Sequence, residues 1–153
     1  MISKQKIKLC AENIVKSINI KRDGEFILIK GGSYSNELLE EIGLNVLRKG
    51  GKPHISSTSD YYQETWLNDE KIKAKTIALT SKHYLELIKN IETYIVIEPL
   101  EDPSIRNRAP KEKLDAYQNG CNGIFRTLAR PQTLFTCLRW SHRIFQYRIT
   151  LER

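Results

Sequence analysis

The chain has 153 residues, 40% of them hydrophobic and 28% charged, with a formal net charge of +7. That length suits one domain with a sizeable core, no apolar run approaches the ~18 residues of a membrane span, and the charged start Met1-Ile-Ser-Lys-Gln-Lys-Ile-Lys8 lacks the apolar stretch of a secretory signal. Cys10, Cys121 and Cys137 form no Cys-x-x-Cys pair, so no disulfide framework is expected and a reducing, cytoplasmic setting fits.

Ile7, Cys10, Ala11, Ile14, Val15 and Ile18 recur at three- and four-residue spacing and predict a helix over 6–19 with one apolar stripe. Arg22-Asp-Gly24 reads as a turn. Phe26-Ile-Leu-Ile29 is a continuous apolar run, as in a strand buried on both faces, and Gly31-Gly32-Ser33 is expected to break it. Ser35 or Asn36 can cap the next helix, with Glu37, Glu40 and Glu41 near its positive end. Leu38, Leu39, Ile42, Val46 and Leu47 are its expected buried face, and Gly50-Gly51 stop it ahead of Pro53.

His54-Ile-Ser-Ser-Thr58 reads as a second, more polar strand. Residues 60–75 fit a short helix or a packed loop around Tyr61, Tyr62, Trp66 and Leu67. Ser81 can cap a helix carrying Tyr84, Leu87, Ile88 and Ile91, and Tyr94-Ile-Val-Ile97 is a third buried strand. Pro99, Pro103 and Pro110 punctuate the loop after it, and Pro110 can open a helix through Asn119. Alternating helices and strands imply an α/β fold, a three-layer domain with a mostly parallel sheet flanked by helices.

The last 34 residues differ. All 15 Lys lie in 1–119, whereas six of the ten Arg lie in 120–153, which holds one acidic residue, Glu152, against 17 before it. The apolar residues of 120–153 follow neither the helical nor the strand period. The division is therefore 1–119 as the α/β domain and 120–153 as a C-terminal tail of uncertain structure, read as out of frame or a truncated remnant. The net positive charge belongs mostly to that tail, which weakens it as a sign of nucleic-acid binding.

Candidate chemistry is sparse. Glu98, Glu101 and Asp102 cluster at the end of a predicted strand, where open α/β sheets usually place ligands. Paired carboxylates there can hold a divalent cation or share acid–base work; an acidic, proline-rich surface or interface loop is the plainer reading. Gly31-Gly32-Ser33 precedes a helix N-terminus and can be drawn as a phosphate cradle, but the Gly-x-Gly-x-x-Gly and Gly-Lys-Ser/Thr patterns are missing, and a tight turn accounts for it. His54 and His83 are isolated. Cys121, Cys137 and His142 have spacings that match no usual zinc arrangement. Arg126, Arg130, Arg139, Arg143 and Arg148, interleaved with Phe125, Phe135, Trp140 and Phe145, have the composition of a nucleic-acid surface without a recognisable module.

Residues 11–119 resemble the N-terminal domain of the M29 family of metallo-aminopeptidases, the aminopeptidase T or thermophilic aminopeptidase family. The resemblance is carried by Ala11–Lys21, Gly24–Ile29, Glu37-Leu-Leu39, the Gly50-Gly-Lys-Pro53 turn, the long segment Tyr84–Ile105 and Ala109–Lys113. It implies removal of N-terminal residues from peptides by water activated on two divalent metals (zinc, cobalt or manganese), in a homodimer. The family's metal ligands lie in a C-terminal catalytic domain without counterpart here, so no catalytic or metal residue is carried over and no metal is expected for this chain alone. The expectation is an N-terminal fragment of such an enzyme, inactive by itself. The alternative is a non-enzymatic α/β binding module whose Arg/aromatic tail contacts RNA or another acidic partner. Nucleic acid is the weaker expectation, and no membrane partner is expected.

Overall fold

The computed structural model describes residues 3–128, 134–140 and 145–150. Helix α1 (Lys4–Ser17) is capped by Ser3, whose hydroxyl accepts from the Lys6 amide, and it buries Ile7, Cys10, Ala11, Ile14 and Val15, the predicted stripe. Strand β1 (Phe26–Gly32) follows a turn in which Gly24 takes a positive φ of 81°. Gly31 and Gly32 extend this strand rather than break it. Gly32 is fully extended, at φ −80° and ψ 150°, and a Cβ there would lie 2.7 Å from the Pro99 carbonyl oxygen. These glycines thus serve close approach, not a change of direction.

Helix α2 (Asn36–Arg48) begins after a single 3-10 turn at Ser33–Ser35. Ser35 occupies the N-cap position, but its hydroxyl donates to the Gly32 carbonyl (2.7 Å) instead of capping the helix. At the other end the Gly51 amide donates to Val46 and the Gly50 amide to Leu47, with Gly50 at φ 84°: a Schellman stop, as its glycines imply. Leu38, Leu39, Ile42 and Val46 are buried; Leu47 is 52% exposed, so it falls outside the predicted face.

Strand β2 (Lys52–Thr58) lies at the sheet edge, which accounts for its polar sequence. The ambiguous stretch contains helix α3 (Asp60–Asn68), capped by the Ser59 hydroxyl, and the single turn of α4 (Ala74–Ala78). Helix α5 (Lys82–Lys89), strand β3 (Thr93–Ile97) and the short α6 (Ile105–Arg108) come next. Helix α7 (Lys111–Leu128) opens after Pro110 and runs on through Asn119 and Gly120. The tail adds β4 (Leu134–Trp140) and β5 (Phe145–Thr150).

The strand order is β2-β1-β3-β4-β5. The first four strands are parallel neighbours, and β5 runs antiparallel to β4. Side chains alternate along β1 and β3, so each strand feeds two cores. Ile27, Ile29, Ile95 and Ile97 pack with α1 and α2 on one face. Leu28 and Tyr94 pack with Ile88, Ile91 and Leu128 on the other, joined by half-buried Tyr84 and Ile124. The fold is therefore α/β in three layers, as expected.

Candidate functional site at the carboxyl ends of β1 and β3

Chain order turns back at β1, which has β2 on one side and β3 on the other. The carboxyl ends of β1 and β3 therefore form a topological switch point, the usual ligand crevice of an open α/β sheet. Glu98, Glu101 and Asp102 stand at this crevice, on the loop that leaves β3. The structure brings them near residues from two other loops, and those neighbours define what the carboxylates can do.

The loop after β1 closes over the crevice. The Tyr34 hydroxyl donates to the Glu98 carbonyl (2.7 Å), and Gly32 sits against Pro99 with no room for a side chain. Burial, then the charges of Glu98, Asp60 and Glu101, push the Tyr34 phenol well above its ordinary range, so it acts as a fixed donor. From the start of α3, the Asp60 carboxylate accepts from the Glu101 amide (3.1 Å) and the Asp102 amide (2.8 Å). Three strand-to-helix loops are thus tied together by one phenol and one carboxylate.

Asp102 is also committed. Its carboxylate accepts from the Ser104 amide (3.0 Å), the Ser104 hydroxyl (2.6 Å) and Arg108 (3.1 Å). Those bonds, Ser104 first and Arg108 after it, hold its carboxyl below the usual range. Arg108 also pairs with Glu64 at 3.1 Å, so the acidic loop has its own counter-ion. Glu101 and Asp102 are exposed, and Glu98 is half-buried.

The carboxylates do not fit a two-metal centre. Both oxygens of Asp60 accept backbone amides and Asp102 is shared between Ser104 and Arg108. Among the described residues no group of three or more His, Cys, Asp or Glu could hold a metal ion. What this arrangement does well is fix the β3 loop against its neighbours.

The other candidates are dispersed. His54 lies exposed on β2 with its ring 6.1 Å from that of Phe26, and His83 is exposed in the first turn of α5. Cys121 is half-buried on α7 and Cys137 lies in β4, while His142, Arg130 and Arg143 lie outside the described residues. Arg126 and Phe125 are exposed at the end of α7. Of the tail's remaining basic and aromatic positions, Phe135, Arg139 and Trp140 lie in β4 and Phe145 and Arg148 in β5. No helix among the described residues is long and apolar enough to cross a membrane.

Sequence reasoning missed Asp60 and Arg108. Asp60 lies far away in the chain, and nothing in the sequence marks its reach to residues 101–102. Arg108 carried a usable signal: a helical turn four residues beyond Ser104, its guanidinium 2.5 Å from the Ser104 hydroxyl.

No protein-family model matches the chain, and no curated protein matches it. Among solved structures, wild-type AmpT from Thermus thermophilus is similar, with a TM-score of 0.64 at 14% sequence identity, over 91% of this chain and 36% of that one. At that identity the likeness is one of fold, and the chain spans well under half of AmpT.

Proposed function

We propose that this chain is the N-terminal α/β unit of a metal-dependent aminopeptidase of the M29 kind, and that it supplies scaffold rather than metal ligands. The observation that carries this reading is the fold likeness to AmpT, an aminopeptidase T, over 91% of the chain. The sequence resemblance agrees with it: its longest segment, Tyr84–Ile105, spans most of α5, β3 and the tied acidic loop. In this reading 1–119 is the family unit and 120–153 an adjoining segment, Glu98, Glu101 and Asp102 belong to an interface loop, and the whole enzyme is a cytoplasmic homodimer acting on peptides. Zinc, cobalt or manganese would act there as Lewis acid on residues outside this sheet.

Two assays test the reading. The purified chain, given a leucine-terminated peptide with cobalt or zinc, should release no leucine; chelator-sensitive release would overturn the scaffold assignment. A chimera carrying residues 3–128 in place of the matching segment of AmpT should fold and keep chelator-sensitive release. A folded chimera that binds metal but releases nothing would count against the parentage.

A further inference from the structure

Strand β2 leaves one edge of the sheet open: among the described residues it pairs only with β1. The Lys52 amide donates to the Glu25 carbonyl at 2.8 Å, across to the start of β1. Strand alternation then turns the backbone groups of His54, Ser56 and Thr58 towards β1 as well, and those of Pro53, Ile55 and Ser57 outward. Pro53 has no N–H to offer there, which suits an edge; Ile55 and Ser57 each turn a donor and an acceptor outward. Edge strands commonly guard themselves with charge, proline or a bulge, and here Lys52 and Pro53 guard only the first two residues.

The face beside this edge is apolar. Pro53, Ile55 and Ser57 are level with Ile27, Ile29 and Gly31, so they lie on the α2 side of the sheet. Ile55 runs under Gly43 of α2, where a Cβ would come within 3.0 Å of its Cδ1. Ile55 is nevertheless 42% exposed, and Leu44 and Leu47 of α2 are 45% and 52% exposed. The same helix face carries opposite charges at its two ends, Glu40 one turn before Leu44 and Arg48 one turn after it. Both are exposed, and neither forms a salt bridge among the described residues.

We propose that this edge seats a second copy of the chain, with β2 pairing antiparallel to its counterpart about a twofold axis through Ile55. Ile55 would exchange two hydrogen bonds with its counterpart, and each Ser57 amide would donate to the Pro53 carbonyl of the other copy. Because Ile55 is level with Gly43, the same axis sets α2 antiparallel to α2 of the second copy, crossing near Leu44. Glu40 of each copy then faces Arg48 of the other, around the exposed leucines. A surface that complements itself under a twofold rotation favours a second copy over an unrelated partner. None of these contacts depends on which enzyme the unit serves.

Sedimentation velocity of the full chain, from about 1 to 100 µM, should show a monomer–dimer equilibrium. Ile55→Lys sets two ammonium groups side by side on the axis and should weaken the dimer at least about tenfold. Glu40→Arg and Arg48→Glu should each weaken it about three- to tenfold by placing like charges opposite each other, and the double exchange should restore the affinity of the parent. The α2 variants alter exposed positions, so they decide the matter even if Ile55→Lys fails to fold. A chain that stays monomeric throughout would overturn the proposal and leave the edge to another kind of partner. A dimer insensitive to Ile55→Lys and to both single charge changes would overturn it too, by placing the contact elsewhere.

Discussion

On one face of the sheet, Ile27, Ile29, Ile95 and Ile97 meet α1 and α2 through almost wholly aliphatic side chains. On the other, Leu28, Lys30 and Tyr94 meet α5 and α7 through a mixture of apolar, phenolic and charged groups, with an open cleft left at the surface between α4, α5 and α7. The same two strands supply both faces by alternation, so the difference is a choice of side chain, not of backbone. A dry aliphatic face gives cohesion; a mixed face gives up some packing to hold groups with chemistry.

Truncation should separate the two faces most clearly. Ile29 is fully buried, and Ile29→Ala should cost about 2–5 kcal/mol of unfolding free energy. Ile124 is half-buried beside the open cleft, and Ile124→Ala should cost under about 1 kcal/mol. Paired urea unfolding curves give both values, and equal losses would erase the distinction.

Alkali should weaken the mixed face next. Burial raises the phenols of Tyr84, Tyr94 and Tyr117, the last from 10.0 to about 12. A group raised in the folded state stabilises fully below its unfolded value and loses that contribution as pH climbs through the folded one. Lys30 has the opposite sign, since its lowered pKa is a penalty relieved as pH approaches 10.5. Three phenols outweigh one amine, so stability should fall between pH 10 and 12, with tyrosinate absorbance rising along the same curve. Absorbance that rises well before unfolding would show the phenols to be freely titrating.

Lys30→Met isolates the amine. It should raise the urea midpoint at neutral pH, where partial burial disfavours the ammonium, and the gain over the parent should shrink as pH rises towards 10.5. A gain that is constant with pH would assign the effect to packing instead. Arg108→Gln should do least. Its pairs with Glu64 and Asp102 are about half exposed, and exposed pairs of this kind rarely move a melting midpoint measurably. A clear drop in a thermal scan would mean that the acidic loop depends on Arg108 more than its exposure implies.

Much of the aliphatic face was legible because its signals are local. The Ile7–Ile18 stripe and the Gly50-Gly51 stop of α2 each sit within one helical repeat or one turn. Gly31-Gly32 misled because two glycines look alike whether the backbone needs a bend or needs room; the need for room comes from Pro99, which the sequence does not place nearby. Leu47 misled because its three- and four-residue spacing puts it at the rim of the buried stripe. In 120–153 the strands were not legible, since β4 and β5 are set by pairing along β3 and not by a clear alternation of their own. The acidic cluster was legible as a cluster, but its tethering to Asp60 and Arg108 was not. The meeting of Lys30 with the Tyr84 ring was hidden for the same reason, since the two come from separate elements.

The place of β1 in the sheet also sets a timetable. Its residue Ile27 pairs with Pro53 on one edge and with Thr93 on the other. During synthesis, the β1–β2 pair must wait with one edge unsatisfied until Thr93–Ile97 has been made, and β3 in turn waits for β4. Such distant parallel pairings make for slow refolding and a long-lived open edge, the point at which a nascent chain of this design is most exposed to mispairing with its neighbours.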